Sequence, residues 1–317
     1  MGANPLTSSQ FVRLLDDRLR VVYKDKYKFL PSMIDQLFGV ISSDKAWEEF
    51  FGVGAVPDIV PFNGKIEYLS VSPDYYTRIE PKIFAGGITI ERNLLDNDRY
   101  GVVKTRQEGL IASEHRVREK YGAQPFNYAF SSAFTFMPEN EEGVALCSDS
   151  HTTKSDVSTS SGFDNAGTSA INKTSIAATR ILMRQFRDSI GERIGDINPD
   201  MIIVPDALYS STCEALGYDM ETGAESDMDP DSANRKINSM YKRFRVVSHR
   251  LLDDTDTNNW FMADSAKMKQ YLMWINRIAP EIETTRDFET KMFKQSIYTV
   301  WGWGFTDWRW CYGQAVS

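Results

Sequence analysis

The last 17 residues of the chain contain four of its seven tryptophans. Trp301 and Trp303 stand two residues apart, and so do Trp308 and Trp310. Because successive side chains of a β-strand point to opposite faces, this spacing predicts two strands that each carry two tryptophans on one face. The intervening residues 304–307 would form the turn of a hairpin. A tryptophan buries roughly 200 Å², so we predict that at least two of the four are buried within the folded chain.

Composition narrows the roles open to these aromatic side chains. The formal net charge is -8 and the pI is near 5.1. Proteins that bind duplex phosphates tightly have a basic face, so base stacking is disfavoured. No apolar run approaches a membrane-spanning length, which argues against a membrane-interface belt. The N-terminus lacks a signal-peptide layout. The three widely spaced cysteines, Cys147, Cys213 and Cys311, indicate a reducing cytosol rather than a disulfide framework.

Apolar residues recur at helical spacing in several segments of the first two thirds of the chain. The longest predicted helix begins at Asp96 or Asn97 and ends at Gly122, and its thin apolar stripe predicts that it lies across a sheet. A buried strand at Met201–Val204 precedes a helix closed by Gly217. The other predicted helices cover residues 8–23, 43–51 and about 174–194.

Strand patterns appear around residues 57–93 and again from about residue 244 to the end. In the first region, Ile66/Tyr68 and Ile88/Ile90 alternate, which predicts a long two-stranded β-extension with 74–81 at its tip. An isolated hairpin is marginal in water, so this one should lie on its own domain or on another chain. A short strand is predicted at 143–151. Helices followed by strands predict an α+β fold.

Few segments match known catalytic motifs. Gly64-Lys65 is followed by Ile66 rather than by the Ser or Thr of a P-loop, and no dinucleotide fingerprint or nucleophile elbow is present. His151, near Cys147, permits a catalytic Cys–His arrangement, but a strand end entering a loop is the favoured interpretation. His115 is predicted on the surface of the long helix. We therefore predict no catalytic, cofactor-binding or metal-binding residues.

Two acidic segments have residue types that could bind a metal ion, and one basic segment has residue types that could bind nucleic acid. Residues 227–238 fail as a calcium loop, because Ser232 and Asn238 replace the required glycine and glutamate. Residues 253–259 are predicted to be a hairpin turn. Residues 235–245 combine five basic side chains with Tyr241 and Phe244, which permits contact with single-stranded nucleic acid, although a loop leading into a strand is favoured.

The order of these elements resembles the major capsid proteins of tailed bacteriophages with the HK97-like fold. The segments that carry the resemblance are NPDMIIVPDALYSSTCEAL, RFRVVSHRLLDDTDTNNWFMADSAKM and APEIETTRDFETKMFKQSIYTVWGWGFTDWRWCYG. A fourth segment, ALCSDSH, resembles the Mu-like major head subunit group. The resemblance covers nearly the whole chain.

The resemblance implies a division of the chain into five parts. It predicts a peripheral domain with a long spine helix and an axial domain that gathers around fivefold and sixfold axes. The implied parts are an N-terminal arm at 1–51, an extended loop at 52–95 that reaches over a neighbour, the peripheral domain at 96–200, the axial domain at 201–285 and returning strands at 286–317.

The resemblance also implies a function. The chain would be a non-enzymatic major capsid protein whose pentamers and hexamers form an icosahedral head around double-stranded DNA, with an encapsulin-type nanocompartment shell as the alternative. It would assemble in the host cytoplasm, without membrane or cofactor, and contact DNA weakly and without sequence specificity. Expected partners are a separate scaffolding protein, a portal and decoration proteins. Some relatives cross-link through a loop lysine; Lys65 and Lys82 are interpreted as ordinary surface charges.

Overall fold

A computed structural model describes residues 31–62, 64–66, 68–93, 102–131, 139–155, 157–217 and 240–316. The α-helices of this part of the chain are α1 (Ile34–Leu37), α2 (Val102–Asn127), α3 (Lys173–Met183), α4 (Tyr209–Leu216) and α5 (Ser265–Tyr271). Its strands are β1 (Gly39–Ser42), β2 (Glu48–Val53), β3 (Pro73–Ile79), β4 (Lys82–Ile90), β5 (Glu139–Asn140), β6 (Ala166–Gly167), β7 (Met201–Val204), β8 (Arg245–Ser248), β9 (Trp260–Ala263), β10 (Leu272–Arg286), β11 (Phe293–Phe305) and β12 (Cys311–Gln314). The predicted helix at 8–23 and the acidic stretch 227–238 lie outside the described residues.

A four-stranded sheet carries the long helix. Its order is β1-β10-β11-β4, with β1 parallel to β10 and the other pairs antiparallel. Helix α2 lies across β4 and β11, as its thin apolar stripe predicts. The contact is aromatic, because Phe84 stacks on Trp301 with ring centroids 3.8 Å apart and Tyr121 packs on Trp301 at 5.3 Å.

Helix α2 does not end at Gly122. It runs for 26 residues to Asn127 with Pro125 inside it. At Gly122 the backbone of α2 approaches α1 closely, and a Cβ there would lie 2.8 Å from Cγ1 of Ile34. The glycine is therefore needed for helix packing rather than for helix termination. The predicted caps at Asp96 and Asn97 lie outside the described residues.

A five-stranded mixed sheet forms the second half of the core, in the order β6-β12-β9-β7-β8. Every residue of β7 and β9 is buried, as expected of strands covered on both faces. The predicted strand–proline–helix unit is present: β7 is followed by Pro205 and α4, and Gly217 closes α4 with φ of 78°. One apolar cluster joins this sheet to the four-stranded sheet.

Two predicted helices differ from the structure. Residues 48–53 form strand β2, paired antiparallel with β3, rather than a helix, because tertiary pairing overrides a weak local preference. Helix α3 ends at Met183 instead of continuing to about 194. Beyond it the Asp188 carboxylate accepts hydrogen bonds from the backbone N–H groups of Ile190 and Glu192, which holds a turn.

The predicted β-extension is also wrong in its pairing. Residues 62–72 contain no strand among those described, and the predicted tip is itself strand β3. Strand β3 pairs with β2 and β5, whereas β4 pairs with β11, so no two-stranded hairpin forms. The strand predicted at 143–151 is a loop, held where the backbone N–H of Ser148 donates to Asn165 Oδ1.

The tryptophan-rich end does not form a hairpin. Strand β11, with Trp301 and Trp303, belongs to the four-stranded sheet, whereas β12 belongs to the five-stranded one. Trp308 and Trp310 lie in the turns between them. All four side chains are buried, which confirms that at least two are buried within the chain. The tryptophans therefore fill the core where the two sheets meet.

Candidate functional site

The hydrogen bonds of His151 do not support a catalytic Cys–His pair. His151 is buried with Nδ1 at 3.0 Å from Glu142 Oε1 and Nε2 at 3.1 Å from Asn165 Oδ1. Its ring stacks on Trp308 at 4.2 Å. Cys147 instead contacts Cys311, where burial and the hydrogen bond to Cys147 raise the pKa of the Cys311 thiol. Thiols in such surroundings are poor nucleophiles, so these residues support the fold.

His115 is buried, contrary to the prediction that it lies on the surface. Helix α1 packs over this part of α2, because the Glu119 carboxylate accepts hydrogen bonds from Ser32 Oγ at 2.7 Å and from the backbone N–H of Met33 at 2.9 Å. His115 Nε2 lies 3.9 Å from Glu119 Oε1. Burial lowers the pKa of His115. A charged helix in the sequence becomes buried here because a second element covers it.

The acidic segment at 253–259 has a structural role. The Asp253 carboxylate accepts hydrogen bonds from the backbone N–H groups of Asp206 and Ala207, so it caps the turn before α4. Residues 253–259 form a turn, but they join β8 to β9, which are not paired, and the hairpin prediction is wrong. Among the described residues no group of three His, Cys, Asp or Glu is placed to hold a metal ion, and no helix has the length and apolarity to cross a membrane.

A surface loop at 54–72, described except at residues 63 and 67, is called the extension here. Its base is closed by a hydrogen bond of 2.9 Å from Gly54 N–H to Ser72 O. A second bond of 2.8 Å runs from Ala55 N–H to Ser189 Oγ. A Cβ at Gly54 would lie 2.5 Å from the Ser72 carbonyl oxygen, so glycine allows the two ends to meet.

The extension is apolar and exposed. Ile59 is 91% exposed, Phe62 76% and Tyr68 94%. Phe51 in β2 and Ile83 in β4 are also exposed apolar side chains. Soluble monomers rarely expose a contiguous apolar patch larger than roughly a few hundred Å². The extension therefore has the character of an interaction surface.

Two charged features have no clear signal in the sequence. Glu114 on α2 faces a cavity of about 160 Å³ between α2 and the sheet, and both of its carboxylate oxygens are buried without a hydrogen-bond partner among the described residues. Burial raises its pKa to about 7. Arg180 and Arg184, one helical turn apart at the end of α3, line a second cavity. Only their four-residue spacing is visible in the sequence.

The family model described as "Phage capsid protein" matches residues 75–313, well over half of the chain. The chain belongs to the phage capsid protein family. Phage capsid proteins are structural components of the virion shell, in which they assemble with copies of themselves. No protein with a curated description matches this capsid protein at a significant level.

Solved phage capsids share its fold. The mature capsid of bacteriophage PhiM1 matches with a TM-score of 0.59 and 11% identity, covering 91% of this capsid protein and 88% of that chain. The empty GTA particle capsid matches with 0.54 and 10% identity, covering 91% of each chain. The procapsid of bacteriophage JBD30 matches with 0.51 and 12% identity, covering 98% and 76%. The fold is therefore of the HK97 type, as predicted, whereas membership of the Mu-like group stays a prediction.

Proposed function

We propose that this capsid protein is the major subunit of an icosahedral phage head, in which pentamers and hexamers enclose packaged double-stranded DNA. The family match and the HK97-type fold support a shell subunit, and they do not favour the encapsulin alternative. The observation that carries the assembly part of the proposal is the exposed apolar extension.

A neighbouring copy is the occupant that best explains the extension. Burying apolar surface contributes roughly 25 cal/mol for each Å², and the base of the extension is held by hydrogen bonds from Gly54 and Ala55. If the extension of each copy lies on the next copy, the contact is head-to-tail, and such contacts close into rings when the rotation allows. Pentamers and hexamers are rings of this kind.

The remaining parts of the proposal concern partners and place. We assign no catalytic step to the chain, in which His151 and the free thiols of Cys147 and Cys311 are buried in the fold. A scaffolding protein, a portal and decoration proteins would act with the shell, which would form in the host cytoplasm and become part of the virion. The division into arm, extended loop, peripheral domain, axial domain and returning strands belongs to this proposal. Lys65 and Lys82 are both exposed and are given no role beyond surface charge.

The extension provides the test. In the variant Ile59→Asp/Tyr68→Asp, two charges replace exposed apolar side chains, so we expect an unchanged urea midpoint and loss of shells and capsomer rings by negative-stain microscopy and sedimentation. The matched control Ile59→Val/Tyr68→Phe keeps the apolar character and should assemble normally. Normal assembly of the aspartate variant would contradict the role of the extension. A native chain that stays monomeric at high concentration with scaffold present would contradict the shell function itself.

A further inference from the structure

A pocket of about 390 Å³ lies beside the C-terminal end of α3. We call it the arginine pocket. Its basic lining side chains are Arg180, Arg184 and Arg193, and its apolar wall consists of Ile181, Ile194 and Ile197. Arg184 and Arg193 are exposed, so a ligand in solution can reach the pocket.

The positive charge of the arginine pocket is not neutralised within the described chain. None of the carboxylates that the structure describes forms a salt bridge with Arg180, Arg184, Arg193 or the nearby Arg243. Arg193 Nε donates to the Arg184 carbonyl oxygen at 3.0 Å. Arg180 Nε is buried without an acceptor in the part of the chain that the structure describes. Burial is the main cause that lowers the pKa of the Arg180 guanidinium, and repulsion from Arg243 and Arg184 lowers it further.

The position of these side chains has an ordinary explanation that covers only part of the observations. Basic residues are favoured near a helix C-terminus, where the last carbonyl groups carry partial negative charge. This accounts for the presence of Arg180 and Arg184 and for the bond made by Arg193. It does not account for the buried Arg180 Nε, which has no acceptor among the described residues, or for the further positive charge of Arg243, before β8, that acts on Arg180. An anion that accepts several hydrogen bonds accounts for both.

We propose that the arginine pocket binds a phosphate group of the DNA backbone. Guanidinium groups donate to phosphate through two parallel N–H bonds each, and a phosphate offers more acceptor oxygens than a carboxylate to three converging arginines. The pocket is larger than a single phosphate, and its isoleucine wall can contact an attached sugar. The assignment to DNA rests on the proposed function, because a head shell encloses the DNA.

The acidic remainder of the chain explains how such contacts stay weak. With a net charge of -8, each subunit repels a polyanion outside the pocket, so binding depends on a few local arginines. Each phosphate contact contributes about -0.9 to the slope of log affinity against log salt concentration. A pocket that binds one or two phosphates therefore gives a shallow slope and no sequence preference.

Fluorescence anisotropy of a labelled short DNA duplex, titrated with the full chain over a salt series, tests the proposal. We expect Arg180→Met/Arg184→Gln to weaken duplex binding by about tenfold or more and to flatten the salt slope by about one contact or more. Arg184→Gln alone, at an exposed position, provides a second variant if the double variant does not fold. The control Arg277→Gln, at an exposed position of β10, removes one charge as Arg184→Gln does and should change affinity less than about twofold.

Each outcome bears on a different part of the proposal. Equal weakening by Arg277→Gln and the pocket variants would overturn the pocket, because charge alone would then explain binding. Binding of inorganic phosphate by isothermal titration calorimetry, without any duplex binding, would support a phosphate site and overturn its assignment to DNA. Native protein that binds neither would overturn both. Shells counted by microscopy in the same samples keep the two proposals separate: shells without duplex binding contradict only this inference, and binding without shells contradicts the head function.

Discussion

Replacing Glu114 with glutamine removes a buried charge from the cavity between α2 and the four-stranded sheet. The carboxylate faces an apolar lining that includes Leu110, Val117 and Trp301. Both of its oxygens are buried without a hydrogen-bond partner among the described residues. Glutamine has nearly the same shape and carries no charge at any pH, so Glu114→Gln isolates the electrostatic cost of burying this carboxylate.

The expected magnitude follows from the pKa. Burial raises the pKa of Glu114 from 4.5 to about 7, against a smaller lowering effect of Arg118. Because the folded pKa of an acid is raised, its contribution favours the folded state at low pH and is lost as the pH rises from 4.5 through 7. Between pH 5 and pH 8 this costs the native chain about 2.5 kcal/mol of unfolding free energy. The variant should not lose this amount.

Urea denaturation of the unassembled full chain at pH 5 and pH 8 measures the effect. The unfolding free energy of Glu114→Gln minus that of the native chain should be about 2.5 kcal/mol larger at pH 8 than at pH 5. Glu283→Gln, which neutralises an exposed carboxylate of β10, should give a pH-independent difference. If the difference for Glu114→Gln is also independent of pH, the carboxylate has a partner or is solvated, and the reasoning from its burial is wrong.

Three further variants test other parts of the core by urea denaturation. Burial lowers the pKa of His249 from 6.5 to about 4, so the fold favours the neutral form. The native chain should therefore lose about 2 kcal/mol of unfolding free energy between pH 7 and pH 5, and His249→Phe should abolish this loss. Equal losses in both proteins would contradict this. Asp264 accepts hydrogen bonds from the backbone N–H groups of Ala266, Lys267 and Asn198, so Asp264→Ala should cost about 2 kcal/mol, and a cost near zero would show that the cap is dispensable. Trp274 is buried and stacks on Trp301 with ring centroids 4.8 Å apart. Trp274→Ala should lower the unfolding free energy by about 3–5 kcal/mol, and a small loss would indicate that the core repacks into the space.

Elements with a strong local signal were predicted correctly. Strand β7 is an uninterrupted apolar run, and Gly217 supplies the left-handed conformation that closes α4. The long helix and its position across a sheet followed from a thin apolar stripe. The ordered set of these segments also carried the resemblance to tailed-phage capsid proteins, which the family match at 75–313 confirms. Such signals lie within one segment, so the sequence contains them complete.

Features that depend on a distant partner were predicted poorly. Residues 48–53 form a strand because β3 pairs with them. Strand β4 pairs with β11, some 200 positions away, instead of with the neighbouring segment predicted for it. His115 and Glu114 sit in a charged helix, yet α1 and the sheet cover them. The arginine pocket arises where the end of α3 and the turn at 193–197 meet.

The sequence by itself determined the α+β class, the buried strands and the burial of the terminal tryptophans, and its segments carried the resemblance to the capsid family. These depend on periodicity, turn residues and the order of segments, which are properties of neighbouring residues. Only the tertiary structure decided that β11 and β12 belong to different sheets and that the extension is exposed. It also decided that the Glu114 carboxylate and Arg180 Nε are buried without a hydrogen-bond partner among the described residues. Burial and pairing are decided by which remote surfaces meet, and the pattern of one segment does not specify its partner.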